Sequence, residues 1–383
     1  MQRSPFTPGD VARRVFGRTR LLRDVRVDLM TAAMDEQLIG RLSVFVGPRG
    51  VGKTSLLRTI QTEATEKYGF ATAWVTSGDA PLNESIAEAL RATSDSWASD
   101  VVGRVRSSLE RITIQAPGVS AEFNTRSEPI QSPGRLVQNA LTTACTGALE
   151  SGHAGLVLLI DEIQEADSDG LRALAYAWQH MQNENADLPL VCLTAGLSNS
   201  QDVITEAVSF AERFKYTYLG NLDQNASQEV LAKSTKSREV GWYADALDAA
   251  LEESKGYPYF LQLVGDCIWK AAGYPDPEHF ITLREASEGL ADFQEESRNF
   301  HRARWMKATP AEEEFLIAMA KLGGDMVPRA EIARAMGKES SAISMPRQSL
   351  IDKGIIDSPS HGYLSFSAPS FAEYIVRDVL GEA

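Results

Sequence analysis

The clearest chemistry in the sequence lies in one run, Gly47, Pro48, Arg49, Gly50, Val51, Gly52, Lys53 and Thr54, which meets G-x-x-x-x-G-K-[ST] at every fixed position. A polyphosphate can rest on successive backbone N–H groups only where side chains do not intrude. The three glycines keep that surface bare and reach positive φ without strain. Lys53 supplies a point charge for the outer phosphates, and Thr54 a hydroxyl for Mg²⁺. Ser55 belongs to this anion-binding run by position, although its own side chain points elsewhere as an ordinary helix residue. A chance lysine in a glycine-rich turn would lack the context seen here: an apolar strand before the run and an amphipathic helix after it, whose positive end faces the anion.

A second cluster follows. Leu156 to Ile160 is a continuous apolar run of five residues, as expected for a strand buried on both faces of a parallel sheet. It ends in Asp161 and Glu162, at the carboxyl end where open parallel sheets bind ligands. One acid there can hold Mg²⁺ against phosphates, and its neighbour can orient and deprotonate a water. A lone Asp-Glu pair would equally well start a loop; the phosphate-binding run upstream favours the chemical role.

The elements that must position these residues alternate. Strands are expected at 42–46, 71–76, 156–160, 190–194 and 215–219, with helices at 21–34, 54–67, 82–92, 134–147 and 171–182. Gly69 closes the second of these helices. The alternation predicts an α/β fold: a parallel five-stranded sheet with helices on both faces, over residues 1–222. Within it, residues 80–150 read as an insertion, with a hairpin around Pro117-Gly118 formed by 112–115 and 119–123. After Leu222 the texture turns helical, giving a second domain over 223–304. Thr309-Pro310 opens a third unit, 305–383, whose three helices and small hairpin suggest a winged helix-turn-helix.

Composition bounds the partners. The chain has 383 residues, 43% hydrophobic and 23% charged, with a net charge of −14. That balance argues against a protein that coats nucleic acid. A local basic stretch (Arg13, Arg14, Arg18, Arg20, Arg23, Arg26) reads as a solvated helix face or as a nucleic-acid arm. No apolar run is long enough for a membrane span, so no membrane partner is expected. Cys145, Cys192 and Cys267 are isolated, which fits a reducing cytoplasm, and no zinc-ligand spacing occurs.

The order Phe16-Gly17-Arg18, the phosphate run, Leu156 to Gln164, and Glu212-Arg213-Phe214 resembles the AAA+ P-loop ATPases. More narrowly it is similar to the STAND and archaeal-type ATPases and their relatives, the origin-recognition initiators. The resemblance spans about residues 14–383. It implies ATP and Mg²⁺ as cofactors, with Lys53 and Thr54 on phosphate and metal, Asp161 on Mg²⁺ and Glu162 as catalytic base. It places Thr194 as a γ-phosphate sensor or, equally, a strand cap. Arg213 becomes a finger for a neighbour's site, or a structural arginine within its own subunit. Pro258, in Gly256-Tyr257-Pro258, matches a lid motif beside the nucleotide, or simply starts a helix. Phe16, Gly17 and Arg18 would lie near the adenine, reading its edge or packing. The family implies a helical lid after the sheet and a winged helix after the lid. Lys338, Arg347, Lys353 and His361 are the candidates there for touching duplex DNA, while Glu312-Glu313-Glu314 and Pro346 weaken that case. The function expected is a slow ATP-hydrolysing switch that signals through lid and winged helix. The rivals are an ATP-controlled DNA-binding initiator, loader or transcriptional regulator, and a non-hydrolysing nucleotide-gated scaffold. A homo-oligomer or a protein partner is compatible with each.

Overall fold

A computed structural model describes residues 1–12, 14–114, 131–360 and 362–382. Its centre is a sheet of five parallel strands: β1 (Ser43–Val46), β2 (Ala71–Thr76), β3 (Leu156–Asp161), β4 (Leu190–Gly196) and β5 (Lys215–Tyr218), in spatial order β2-β3-β4-β1-β5. The sequence shows why. β3 and β4 lie inside the sheet and are buried at every position, so both read as unbroken apolar runs. Edge strand β2 alternates buried and partly exposed residues instead. Period-two alternation splits the strand side chains between two cores. Val157, Leu159, Val191 and Leu193 face α1 (Thr19–Asp35) and α2 (Lys53–Tyr68). Leu156, Leu158, Ile160 and Cys192 face the other core, with α3 (Leu82–Ser94), α4 (Ser99–Ile114), α5 (Pro133–Glu150) and α6 (Ser168–Glu184). α7 (Ser200–Ala207) follows β4.

One local expectation fails. Residues 112–114 finish α4 rather than opening a hairpin, and the remainder of that expected hairpin lies outside the described residues. Val101, Val105, Leu109 and Ile112 recur at three- and four-residue spacing and are all buried, a helical period that a five-residue window hides.

Beyond the sheet stand α8 (Gln224–Lys236), α9 (Ala244–Ser254), α10 (Pro258–Ala271) and the long α11 (Leu283–Trp305), clipped by the two-residue strands β6 (Gly241–Trp242) and β7 (Phe280–Ile281). A third, separate core holds α12 (Pro310–Lys321), β8 (Val327–Pro328), α13 (Arg329–Ala335), α14 (Ser344–Asp352), β9 (Ile356–Ser360), β10 (Tyr363–Phe366) and α15 (Phe371–Tyr374), with the strands antiparallel in the order β8-β10-β9. Pro346 does not kink α14. It falls in the first turn, where no intrahelical N–H bond is owed. Among the described residues no helix is long and apolar enough to cross a membrane.

Candidate nucleotide site

The turn after β1 is forced to be glycine-rich by its surroundings. A Cβ at Gly47 would sit 2.2 Å from the Leu219 carbonyl oxygen. Gly50 holds φ +80 and is pressed by Tyr257, whose hydroxyl would be 2.1 Å from an added Cβ. Gly52, at φ +91, is the N-cap of α2, and an added Cβ there would meet nothing within 4 Å. The inner face of the loop is therefore open at the helix's positive end.

Lys53 is 6% exposed, and its ammonium donates to the Gly47 and Pro48 carbonyl oxygens at 2.9 Å each. Burial pulls its pKa down to about 8, against the opposing pull of Glu162 and Asp161. Thr54 Oγ1 donates to Asp161 Oδ2 at 2.7 Å, joining the two expected metal ligands. Burial raises the Asp161 pKa, with the Thr54 bond opposing. The hydroxyl and carboxylate are hard oxygen donors that suit Mg²⁺. Among the described residues no cluster of three or more His, Cys, Asp or Glu could hold a metal ion by itself. Glu162 lines the same cavity from a left-handed backbone (φ 53), and its Oε2 accepts from Gln164 Nε2 at 2.6 Å.

The cavity measures about 430 Å³. Arg49 to Ser55 form its floor, and Phe16, Arg18, Leu222, Val230 and Pro258 line it further out. Gly17 packs tightly on Ala226 and Leu222, and the Arg18 guanidinium donates to Gly220 O. Ser55 Oγ accepts the Ala12 N–H at 3.0 Å and so anchors a wall that sequence reasoning missed, the amino-terminal residues Thr7 and Gly9 to Ala12. That wall is fixed at its other end by Phe6 against Gly265 and by Thr7 N–H on Gln262 Oε1. No local motif announces it, because its partners lie far off in sequence, Ser55 by 43 residues and Gln262 by 255.

Thr194 and Arg213 lie apart from the cavity, and Pro48 lines a different one, with Tyr218, Gly220 and Asp357. The Thr194 hydroxyl donates to Ser43 O at 3.3 Å inside the sheet, on the face toward α6. Arg213 is exposed on a short 3-10 turn before β5, at the amino-terminal rim of the sheet, 5.9 Å from the Phe210 ring.

Residues 14–192 match the family model of the AAA ATPase domain. This segment is an AAA ATPase domain. Residues 298–375 match a domain of unknown function, DUF8462. No curated protein matches the sequence. The fold is similar to that of the Walker-type ATPase PABY2304 of Pyrococcus abyssi (16% identity, 94% of this chain and 96% of that one, TM-score 0.56). It is also similar to the ORC2 protein of Aeropyrum pernix, solved as ADPNP–ADP complexes (13% identity, 100% of this chain and 99% of that one, TM-score 0.57).

The phosphate loop of the AAA ATPase domain also touches the rest of the chain. Tyr257, fully buried ahead of α10, donates its hydroxyl to Arg49 O at 2.7 Å. The Arg49 side chain lies against Gly354, where a Cβ would be 2.9 Å from its Nε. Arg304, half-buried beside Tyr257, donates to Gly354 O at 3.2 Å. The Tyr218 hydroxyl donates to Asp357, and Asn199 Nδ2 to Asp352 Oδ1 at 3.0 Å. The third unit is thus docked on the AAA ATPase domain at the back of its phosphate loop.

Proposed function

We propose that the chain binds ATP with Mg²⁺, hydrolyses it slowly, and uses the nucleotide to set the position of a helical lid (223–304) and a winged helix (305–383) on a nucleotide-binding domain (1–222). The observation that carries this reading is the shared wall: one cavity is bounded by the phosphate loop, the amino-terminal segment and the start of α10. A triphosphate and a diphosphate would contact those elements differently, and only differential contact can shift a conformational equilibrium. The ORC2 protein with a similar fold was solved with adenine nucleotides, which favours the same ligand class here.

In this reading the Lys53 ammonium leaves the loop carbonyls for the outer phosphates. Thr54 and Asp161 would hold Mg²⁺, which when bound would draw charge off the phosphates. Glu162 takes the proton of the attacking water. Thr194, already bonded to strand backbone, acts at most through the sheet. Arg213, on the far rim, serves a neighbouring copy of the chain. The test is ATP binding and turnover in three proteins. Lys53→Ala should lose nucleotide affinity, and Glu162→Gln should bind ATP but not turn it over. Unchanged affinity in Lys53→Ala would remove the site assignment.

A second reading, duplex DNA binding under ATP control, draws on the helix and strand order of the third unit and on Met345, 84% exposed at the start of α14. The candidate cations are engaged, two of them within the third unit and one across it. Lys338 pairs with Glu314 and Lys353 with Glu312, each at 2.6 Å, and Arg347 is half-buried near Asp202. His361 lies outside the described residues. The two lysine pairs close within the third unit itself, so undocking on this reading frees Arg347 from Asp202 and leaves the lysines paired.

A further inference from the structure

Gln164 connects two parts of the molecule that the nucleotide chemistry alone does not join. Its Nε2 donates to Glu162 Oε2 at 2.6 Å, and its Oε1 accepts the Leu197 N–H at 2.8 Å. The carboxamide is fitted against the end of β4, for a Cβ at Gly196 would lie 2.6 Å from its Oε1. The Gly47 N–H donates to Gly196 O at 3.2 Å, so the same stretch also holds the root of the phosphate loop. Two residues past Leu197, buried Asn199 donates to Asp352 Oδ1 at 3.0 Å. Asp352 is the last residue of α14, in the third unit.

We infer that Gln164 is a positioning residue that restrains Glu162 while Asp352 is docked on Asn199, so that the third unit holds down ATP hydrolysis through residues 196–199. The inference rests on the proposed role of Glu162 as base. The hydrogen bond from Gln164 ties the carboxylate down and keeps it from turning freely toward a water at the phosphates. When Asp352 leaves, the buried Asn199 amide loses its acceptor and must find another. The turn from 197 to 200 then shifts, and the Leu197 N–H no longer fixes Gln164.

The test is steady-state ATP turnover of the full chain carrying Gln164→Ala, Asp352→Ala or both, with affinity for a fluorescent ATP analogue measured alongside. Each single variant should raise kcat about fivefold or more at unchanged affinity, and the double should gain no more than the larger single. Damage to the fold lowers kcat, so it cannot imitate this result. Asn199→Ala breaks the same bond from the other side and should act like Asp352→Ala. Asp352→Asn keeps an acceptor and should stay at the wild-type rate. A fall in kcat for Gln164→Ala, no change for Asp352→Ala, or additive gains would overturn the relay. If the wild type turns ATP over and no variant exceeds it, only the relay is lost. If every protein binds ATP and none hydrolyses it, the hydrolase reading is lost as well.

Discussion

Replacing Gly50 by alanine measures how firmly the lid presses on the phosphate loop. Two costs arise. At φ +80 a Cβ crowds the following carbonyl, about 1–2 kcal/mol. The new carbon would also stand 2.1 Å from the Tyr257 hydroxyl and 2.7 Å from its Cζ. Tyr257 is fully buried and has nowhere to retreat without leaving the Arg49 carbonyl, which adds about 1–2 kcal/mol. Gly50→Ala should therefore lose about 2–4 kcal/mol in urea unfolding. Gly52→Ala is the internal control. Its φ of +91 carries the same backbone cost, but the added carbon meets nothing within 4 Å, so its loss should stop at about 1–2 kcal/mol. Tyr257→Phe removes only the hydroxyl, and in that background the Gly50→Ala penalty should shrink. Equal losses for Gly50→Ala and Gly52→Ala would refute the reasoning, for the tyrosine would then not be bearing on the loop.

His301 joins α11 to α15 with both ring nitrogens unpartnered, stacked 5.4 Å from Phe371. Burial, helped by Arg304 and opposed by Glu373 and Asp378, pushes its pKa down to about 4 from 6.5. Below pH 6.5 the unfolded chain takes a proton that the folded one refuses, so this group's stabilisation is present above 6.5 and lost by pH 4, about 3 kcal/mol. Urea unfolding of wild type and His301→Phe at pH 7 and 4.5 should show the smaller acid loss in the variant; equal losses count against it. Arg213→Ala should lower turnover by orders of magnitude, up to about 10³, only at protein concentrations where copies assemble. The same drop in dilute monomer would make Arg213 a residue of its own subunit. Asp357→Ala, which breaks the Tyr218 contact, should increase retention on duplex DNA at about 50 mM salt, with steep loss by about 200 mM. Flat, negligible retention of both proteins would remove the DNA reading.

What the sequence made legible was local. Gly47 to Thr54 announces itself because a phosphate cradle demands fixed residue types at fixed spacing. Leu156 to Ile160 shows a strand covered on both faces because such a strand cannot alternate. Contacts between distant segments left no such trace. Thr194 is polar at a plausible height on its strand, but only the fold reveals that its hydroxyl already serves Ser43. Tyr218–Asp357 and Asn199–Asp352 tie residues about 140–150 apart, and nothing in either segment signals the other. α4 was missed because a helix that packs on other helices, away from the sheet, has no strand pattern beside it to give it contrast.

The amino-terminal wall carries a practical consequence. Between Phe6, wedged against Gly265, and Ala12, tied to Ser55, the backbone spans from α10 to α2 and closes one side of the cavity. A protease nick near Asp10, or trimming of the first dozen residues, would loosen ATP while leaving every motif residue untouched. Slow escape of a nucleotide from the intact protein, and fast escape from the clipped one, is what such a strap entails.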